Sequence, residues 1–122
     1  MREILFRGKG INDKEWRYGF YTEQQGYPYI TPDGVAMYEI DANTAGQYTG
    51  FVDKNGKKIF EGDIVCMDDW IPPCMQVAYA QGTFYLAEIG KPVKYYGDIY
   101  YLNHGGNPCA KVIGNIYDDL SY

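Results

Sequence analysis

The sequence predicts an all-β fold of predominantly antiparallel strands, in partial or small barrel-like sheets, with at most short helical turns. Three observations carry this expectation. The chain holds 14 Tyr and 15 Gly, with aromatic residues at 17%; tyrosine suits a pleated, half-buried surface and glycine punctuates tight connections. Short segments alternate apolar and polar residues between Gly, Pro, Asn and Asp breaks, which is the period of a strand. Helical periodicity is nowhere sustained over about ten residues.

The elements follow in order. REILFR (2 to 7) and EWRYGFY (15 to 21) read as strands, joined by the turn formers of RGKGINDK. In the second strand Trp16, Tyr18 and Phe20 alternate with Arg17, Gly19 and Tyr21, so one face is wholly aromatic and is expected to be core. From 22 to 46 the pattern weakens. Residues 27 to 30 and 35 to 40 read as short strands, with Pro32, Asp33 and Gly34 turning the chain between them, and DANTAGQ or the terminal YDDLSY is the place for a single helical turn. Residues 63 to 67, 75 to 80, 83 to 89, 94 to 103 and 111 to 117 carry β-branched or aromatic residues between breakers and read as strands. Gln81 and Gly82 close a hairpin.

A chain of 122 residues fits one domain that buries roughly 65% of the surface its unfolded chain exposes. No linker or low-complexity segment marks a second, so residues 1–122 are expected to form a single domain. GDIVCMDDWIPPCMQV (62 to 77) and GDIYYLNHGGNPCAKV (97 to 112) match without gaps at Gly, Asp, Ile, Pro, Cys and Val. Two similar β units with Cys74 and Cys109 in equivalent places are one reading of this match; coincidence in a Gly-, Asp- and Ile-rich chain is the other.

The most patterned stretch is QYTGFVDKNGKKIFEGDIV (47 to 65). In it Asp53, Lys54, Asn55 and Gly56 sit between apolar flanks. Asn and Gly tolerate positive φ, and an Asp before them bonds the backbone ahead, so the tetrad specifies a hairpin. Gly62 permits a bend, and the Asp63 carboxylate is placed to accept turn amides. Asp53, Gly56, Gly62 and Asp63 are therefore expected to be structural. Glu61 and Asp63 share a face on an extended chain and resemble paired catalytic carboxylates, but a turn accounts for them without any substrate.

At these residues the chain resembles the YopX family, small proteins of bacteriophage and prophage genomes. The family pattern runs approximately T-G-[LF]-x-D-[KS]-N-G-K-x-I-[FY]-E-G-D-I-V. REILFRGK with EWRYGFY, and KVIGNIYDDL near the C-terminus, resemble two further family blocks in family order. Asp118, Asp119 and Leu120 depart from the family's Glu-Asn-Pro-Glu continuation, and DDWIPPC is idiosyncratic. The resemblance implies a β-rich protein of phage origin acting inside a bacterial cell. It brings no assigned activity and no catalytic residues.

Composition narrows the remaining classes. Net charge is −5, which disfavours a broad nucleic-acid-binding face. No apolar run approaches the roughly 20 residues of a membrane span, and the start lacks an apolar signal segment, so a cytoplasmic location in the bacterial host is expected. Cys66, Cys74 and Cys109 are odd in number and are expected to be free thiols. Ser121 is the only serine and no G-x-S-x-G elbow occurs. His104 with the three cysteines lacks the close spacing of a zinc site, and Cys109 with His104 is weaker as a nucleophilic pair than Cys109 as a small hydrophobe. No cofactor or metal is expected.

Binding is the remaining use of the side chains. Lys54, Asn55, Lys57 and Lys58 crowd the hairpin, and Tyr96 and Tyr100 lie in KYYGDIYYL. Alternation there places Tyr95 and Tyr101 on one face and Tyr96 and Tyr100 on the other, so some rings are exposed and invite an unknown protein partner or a second copy. The leading expectation is a non-enzymatic binding or self-associating module. A nucleic-acid-binding β domain using these lysines, Arg2, Arg7, Lys9, Lys14 and Arg17 with the tyrosines is the alternative. An enzyme using Asp63 with Glu61 or His104 is the third reading.

Overall fold

The computed structural model describes residues 3–104 and 107–118. The chain divides into two compact units, Met1–Tyr48 and Thr49–Tyr122. Strands dominate both, and the only helical elements among the described residues are two short 3-10 turns. No helix among those residues is long and apolar enough to cross a membrane.

In the first unit β1 (Phe6–Lys9), β2 (Trp16–Gln24), β3 (Tyr27–Thr31), β4 (Tyr38–Glu39) and the opening of β5 (Gly46–Val52) lie in the order β4-β3-β2-β1-β5. The hairpin between β2 and β3 turns on Gln25 (φ 54°) and Gly26 (φ 84°), the two left-handed residues that match the twist of paired strands. Beyond β3 the Asp33 carboxylate accepts the N–H groups of Val35 and Ala36, each at 2.8 Å. Those two donors hold Asp33 below the usual carboxylate range. Asp41 caps a 3-10 turn at Ala42–Thr44 by accepting the Asn43 N–H.

Strand β1 begins at Phe6 and takes in Gly8 and Lys9, where the sequence reads connection. Gly8 pairs with Arg17, and its missing side chain makes room for Ile40, whose Cδ1 lies 2.3 Å from where a Cβ would stand. This close approach also corrects the expected core. The aromatic face of β2 is the more exposed one, with Tyr18 46% and Phe20 59% accessible. The register Phe6↔Gly19 and Tyr21↔Ile30 puts the glycines on the other face, where directly opposed residues point the same way. There Ile30 and Ile40 are fully enclosed.

The second unit continues β5 into β6 (Lys58–Phe60), then β7 (Asp63–Cys66), β8 (Cys74–Ala80), β9 (Thr83–Glu88) and β10 (Lys91–Asp98). After a 3-10 turn at Ile99–Leu102 come the short β11 (Asn103–His104) and β12 (Asn107–Pro108), which pair with each other, and β13 (Lys111–Asn115). The main sheet has the order β10-β9-β8-β7-β13. Its core gathers Ile59, Val65, Met75, Val77, Leu86 and Leu102, each worth roughly 1.5–3 kcal/mol on burial. In the central strand β8 even Gln76 is buried, with its side-chain oxygen accepting the Gly90 N–H at 2.7 Å. Gln81 (φ 52°) and Gly82 (φ 80°) close the hairpin between β8 and β9.

Three expectations change here. Residues 94 to 103 are not one strand: β10 stops at Asp98, and Ile99 and Leu102 bury together because side chains three apart eclipse in a 3-10 turn. Tyr100 and Tyr101 are thereby both turned out, 73% and 57% exposed. The match between 62–77 and 97–112 is not a structural repeat, since GDIV opens strand β7 whereas GDIY leads into that 3-10 turn. The cysteines are not all free. Cys66 and Cys74 are register partners on β7 and β8 and form a disulfide, leaving Cys109 as the free thiol.

Candidate functional site

The signature stretch builds the hairpin of β5 and β6. Gly56, at φ 82°, closes the turn, and its N–H donates to the Asp53 carbonyl at 2.9 Å. Asp53 is 2% exposed. Its carboxylate accepts the N–H of Asn55 at 2.8 Å and of Lys57 at 2.9 Å across the turn, and of Val112 in β13 at 3.0 Å. The Lys54 N–H adds a second tie, to the Ala110 carbonyl at 2.9 Å. Burial opposes ionisation of Asp53, but the Val112, Lys57 and Asn55 amides and the Lys57 charge outweigh it and hold the carboxyl below its ordinary range.

With the backbone so fixed, Lys54, Asn55 and Lys57 are exposed and Lys58 is half-buried at the head of β6. Tyr100 stands edge-on to Phe51 of β5, ring centres 5.6 Å apart, so it flanks the strand that leads into this turn. Tyr96 is different, half-buried against the core cluster. Of the candidate residues, Lys54, Asn55, Lys57 and Tyr100 thus face outward, while Tyr96 turns inward.

Gly62 and Asp63 form the bend into β7. The buried Asp63 carboxylate accepts the Phe60 N–H at 2.8 Å, and the Gly62 N–H donates to the Val77 carbonyl at 2.8 Å. A Cβ on Gly62 (φ 91°) would lie 2.7 Å from the Tyr117 ring, whereas one on Gly56 would meet open space. Gly56→Ala is therefore expected to cost about 1 kcal/mol through its left-handed backbone alone, and Gly62→Ala about 3 kcal/mol because the ring must also move. Urea denaturation of the two variants measures the difference.

Several residues of the catalytic alternatives have structural partners. Asp63 is committed to the bend, and Cys66 and Cys74 are bonded to each other, which removes two of the four zinc ligands considered. The Cys109 thiol donates to the Leu102 carbonyl at 3.1 Å. The side chain of His104 lies outside the described residues.

One surface was misassigned by alternation, which finds two faces without telling which is covered. On β2, Trp16, Tyr18 and Phe20 share a face with Lys9 and Arg7, the β1 partners of Trp16 and Tyr18. The Arg7 guanidinium stands 4.7 Å from the Trp16 ring centre and the Lys9 ammonium 5.8 Å. The signal available in the sequence was Gly8 opposite Arg17 and Gly19 opposite Phe6, small residues marking the face that closes.

These features define a small antiparallel β protein whose most patterned residues build a carboxylate-pinned hairpin and whose large exposed side chains are rich in tyrosine. The chain belongs to the YopX family, described as YopX protein, whose pattern matches residues 5–120. No curated protein matches it.

Proposed function

We propose that this chain is a non-enzymatic module of phage or prophage origin that works by binding protein, a partner or a second copy, through the aromatic face of β2. The observation that carries this reading is the exposure of Tyr18 and Phe20 side by side on one sheet face beside Trp16. Residues two apart on a strand stand roughly 7 Å apart, so the rings form one continuous apolar surface. Tyrosine and phenylalanine supply large contact area with few rotatable bonds.

Protein is favoured over nucleic acid by charge. Arg7 is only 4% exposed and lies against Trp16, so it offers little to a phosphate, and the chain as a whole carries −5. The signature hairpin is assigned a folding role.

The test is Tyr18→Ser combined with Phe20→Ser, compared with the unaltered chain by light scattering over a dilution series and by affinity capture from the host cell. The expected result is loss of self-association or of one captured protein, with the unfolding midpoint unchanged. Equal association and capture by both proteins would sink the reading. Single-stranded DNA binding that falls steeply between about 50 mM and about 200 mM salt and disappears in the variant would reassign the face to nucleic acid.

A further inference from the structure

The second unit holds a cavity of about 480 Å³ beside the loop from β7 to β8, within the range of small-ligand sites. Trp70 and Tyr101 wall it, edge to face with ring centres 5.2 Å apart. Both rings lean over Gly97, where a Cβ would stand 3.1 Å from Trp70 and 3.0 Å from Tyr101. Buried Met67 contributes to the lining, and Asp68 and Asp69 add two exposed carboxylates. Among the described lining residues none is basic.

The wall is anchored rather than dangling. The Cys66–Cys74 disulfide closes the base of the loop. The Met67 N–H donates to the Pro73 carbonyl at 2.7 Å and the Trp70 N–H to the Met67 carbonyl at 3.3 Å.

We propose that this cavity binds an organic cation, a guanidinium or alkylammonium group carried on a flexible chain. Aromatic faces attract such a cation through the ring quadrupole, and the carboxylates add Coulomb attraction at a mouth with no described basic side chain to compete for them. An anion would be repelled, and a neutral apolar group would gain nothing from Asp68 and Asp69. The chemistry is shared by an arginine or lysine side chain of a peptide and by a free polyamine. The site lies wholly in the second unit and does not depend on the β2 face.

The test is a titration of the full chain with its disulfide intact, followed at the indole N–H resonance of Trp70, which is assigned by its loss in Trp70→Phe. The probes are N-acetyl-arginine methylamide, spermidine, and the citrulline counterpart of the first, which keeps the shape without the charge. At least one of the two cations is expected to shift the Trp70 resonance saturably, with the citrulline compound binding about tenfold more weakly. Response to the arginine compound alone points to a peptide side chain, and response to spermidine alone to a polyamine. Asp68→Asn with Asp69→Asn should weaken the responding cation about tenfold, whereas Asp68→Glu with Asp69→Glu should retain it. Equal binding of citrulline, unchanged binding by the Asn pair, or a Trp70 resonance that neither cation moves would each overturn the assignment.

Discussion

Replacing Asp53 with alanine is expected to lower the unfolding free energy by about 3 kcal/mol, because a charged acceptor leaves several amide donors that it alone satisfied. The carboxylate takes three N–H groups, two from its own turn, Asn55 and Lys57, and one from distant Val112. The Val112 donor is buried and has no route to water once the acceptor is gone. Asn55 and Lys57 sit in an exposed turn and regain solvent. Most of the loss therefore falls on the tie to β13. Asp53→Asn, which keeps one acceptor oxygen, should fall between alanine and the native residue.

The same substitution has a pH signature. The Asp53 carboxyl is held below its ordinary range, with its amide partners outweighing burial. A carboxyl depressed in the folded state stabilises only when ionised. Its contribution is full above the unfolded value of about 3.9 and is lost as pH falls through the folded value. Urea denaturation at a series of pH values should show the gap between the native chain and Asp53→Ala constant near neutrality and narrowing below about pH 4. A gap unchanged in strong acid would mean that the charge contributes nothing to the hairpin.

Opening the Cys66–Cys74 bond is the second large effect. The bond closes a loop with a sequence separation of 8, and loop-closure entropy on that scale is worth about 2.5 kcal/mol. Reductant should therefore lower the denaturation midpoint of the native chain by that equivalent. Cys66→Ser with Cys74→Ser should start at the lower midpoint and ignore reductant. If reductant leaves the native chain unaffected while mass spectrometry shows the bond open, the loop is held by its strand pairing and backbone bonds alone.

How far these features were legible depended on whether the physics was local. The turns at Asp53 to Gly56 and at Gln81 and Gly82 were readable because left-handed backbone demands particular residues at particular places. The break in β10 was not, since alternating tyrosines fit a strand and a 3-10 turn equally until Ile99 and Leu102 are seen to bury together. The β2 face was inverted for a related reason: large rings look like core, but Gly8 and Gly19 decide which side can close. The disulfide was missed because pairing follows strand register, and spacing along the chain does not reveal that Cys66 faces Cys74. Of the candidate surface residues, Lys54, Asn55, Lys57 and Tyr100 are exposed, whereas Lys58 and Tyr96 are half-buried.

The strand order carries a consequence for how the chain is made. Strands β7 to β10 each pair with their neighbour in sequence, whereas β13 returns to the free edge of β7. During synthesis the successive hairpins can close as they emerge, but β7 keeps an open edge until residues 111–115 arrive, and such edges recruit other strands. Asp53 waits for the same event, since one of its donors is Val112. The signature hairpin and β13 therefore act as the two halves of a latch. An interruption of translation before β13 would release a chain with its sheet formed, its edge uncovered and its central carboxylate unfinished, a species suited to recognition by chaperones and proteases.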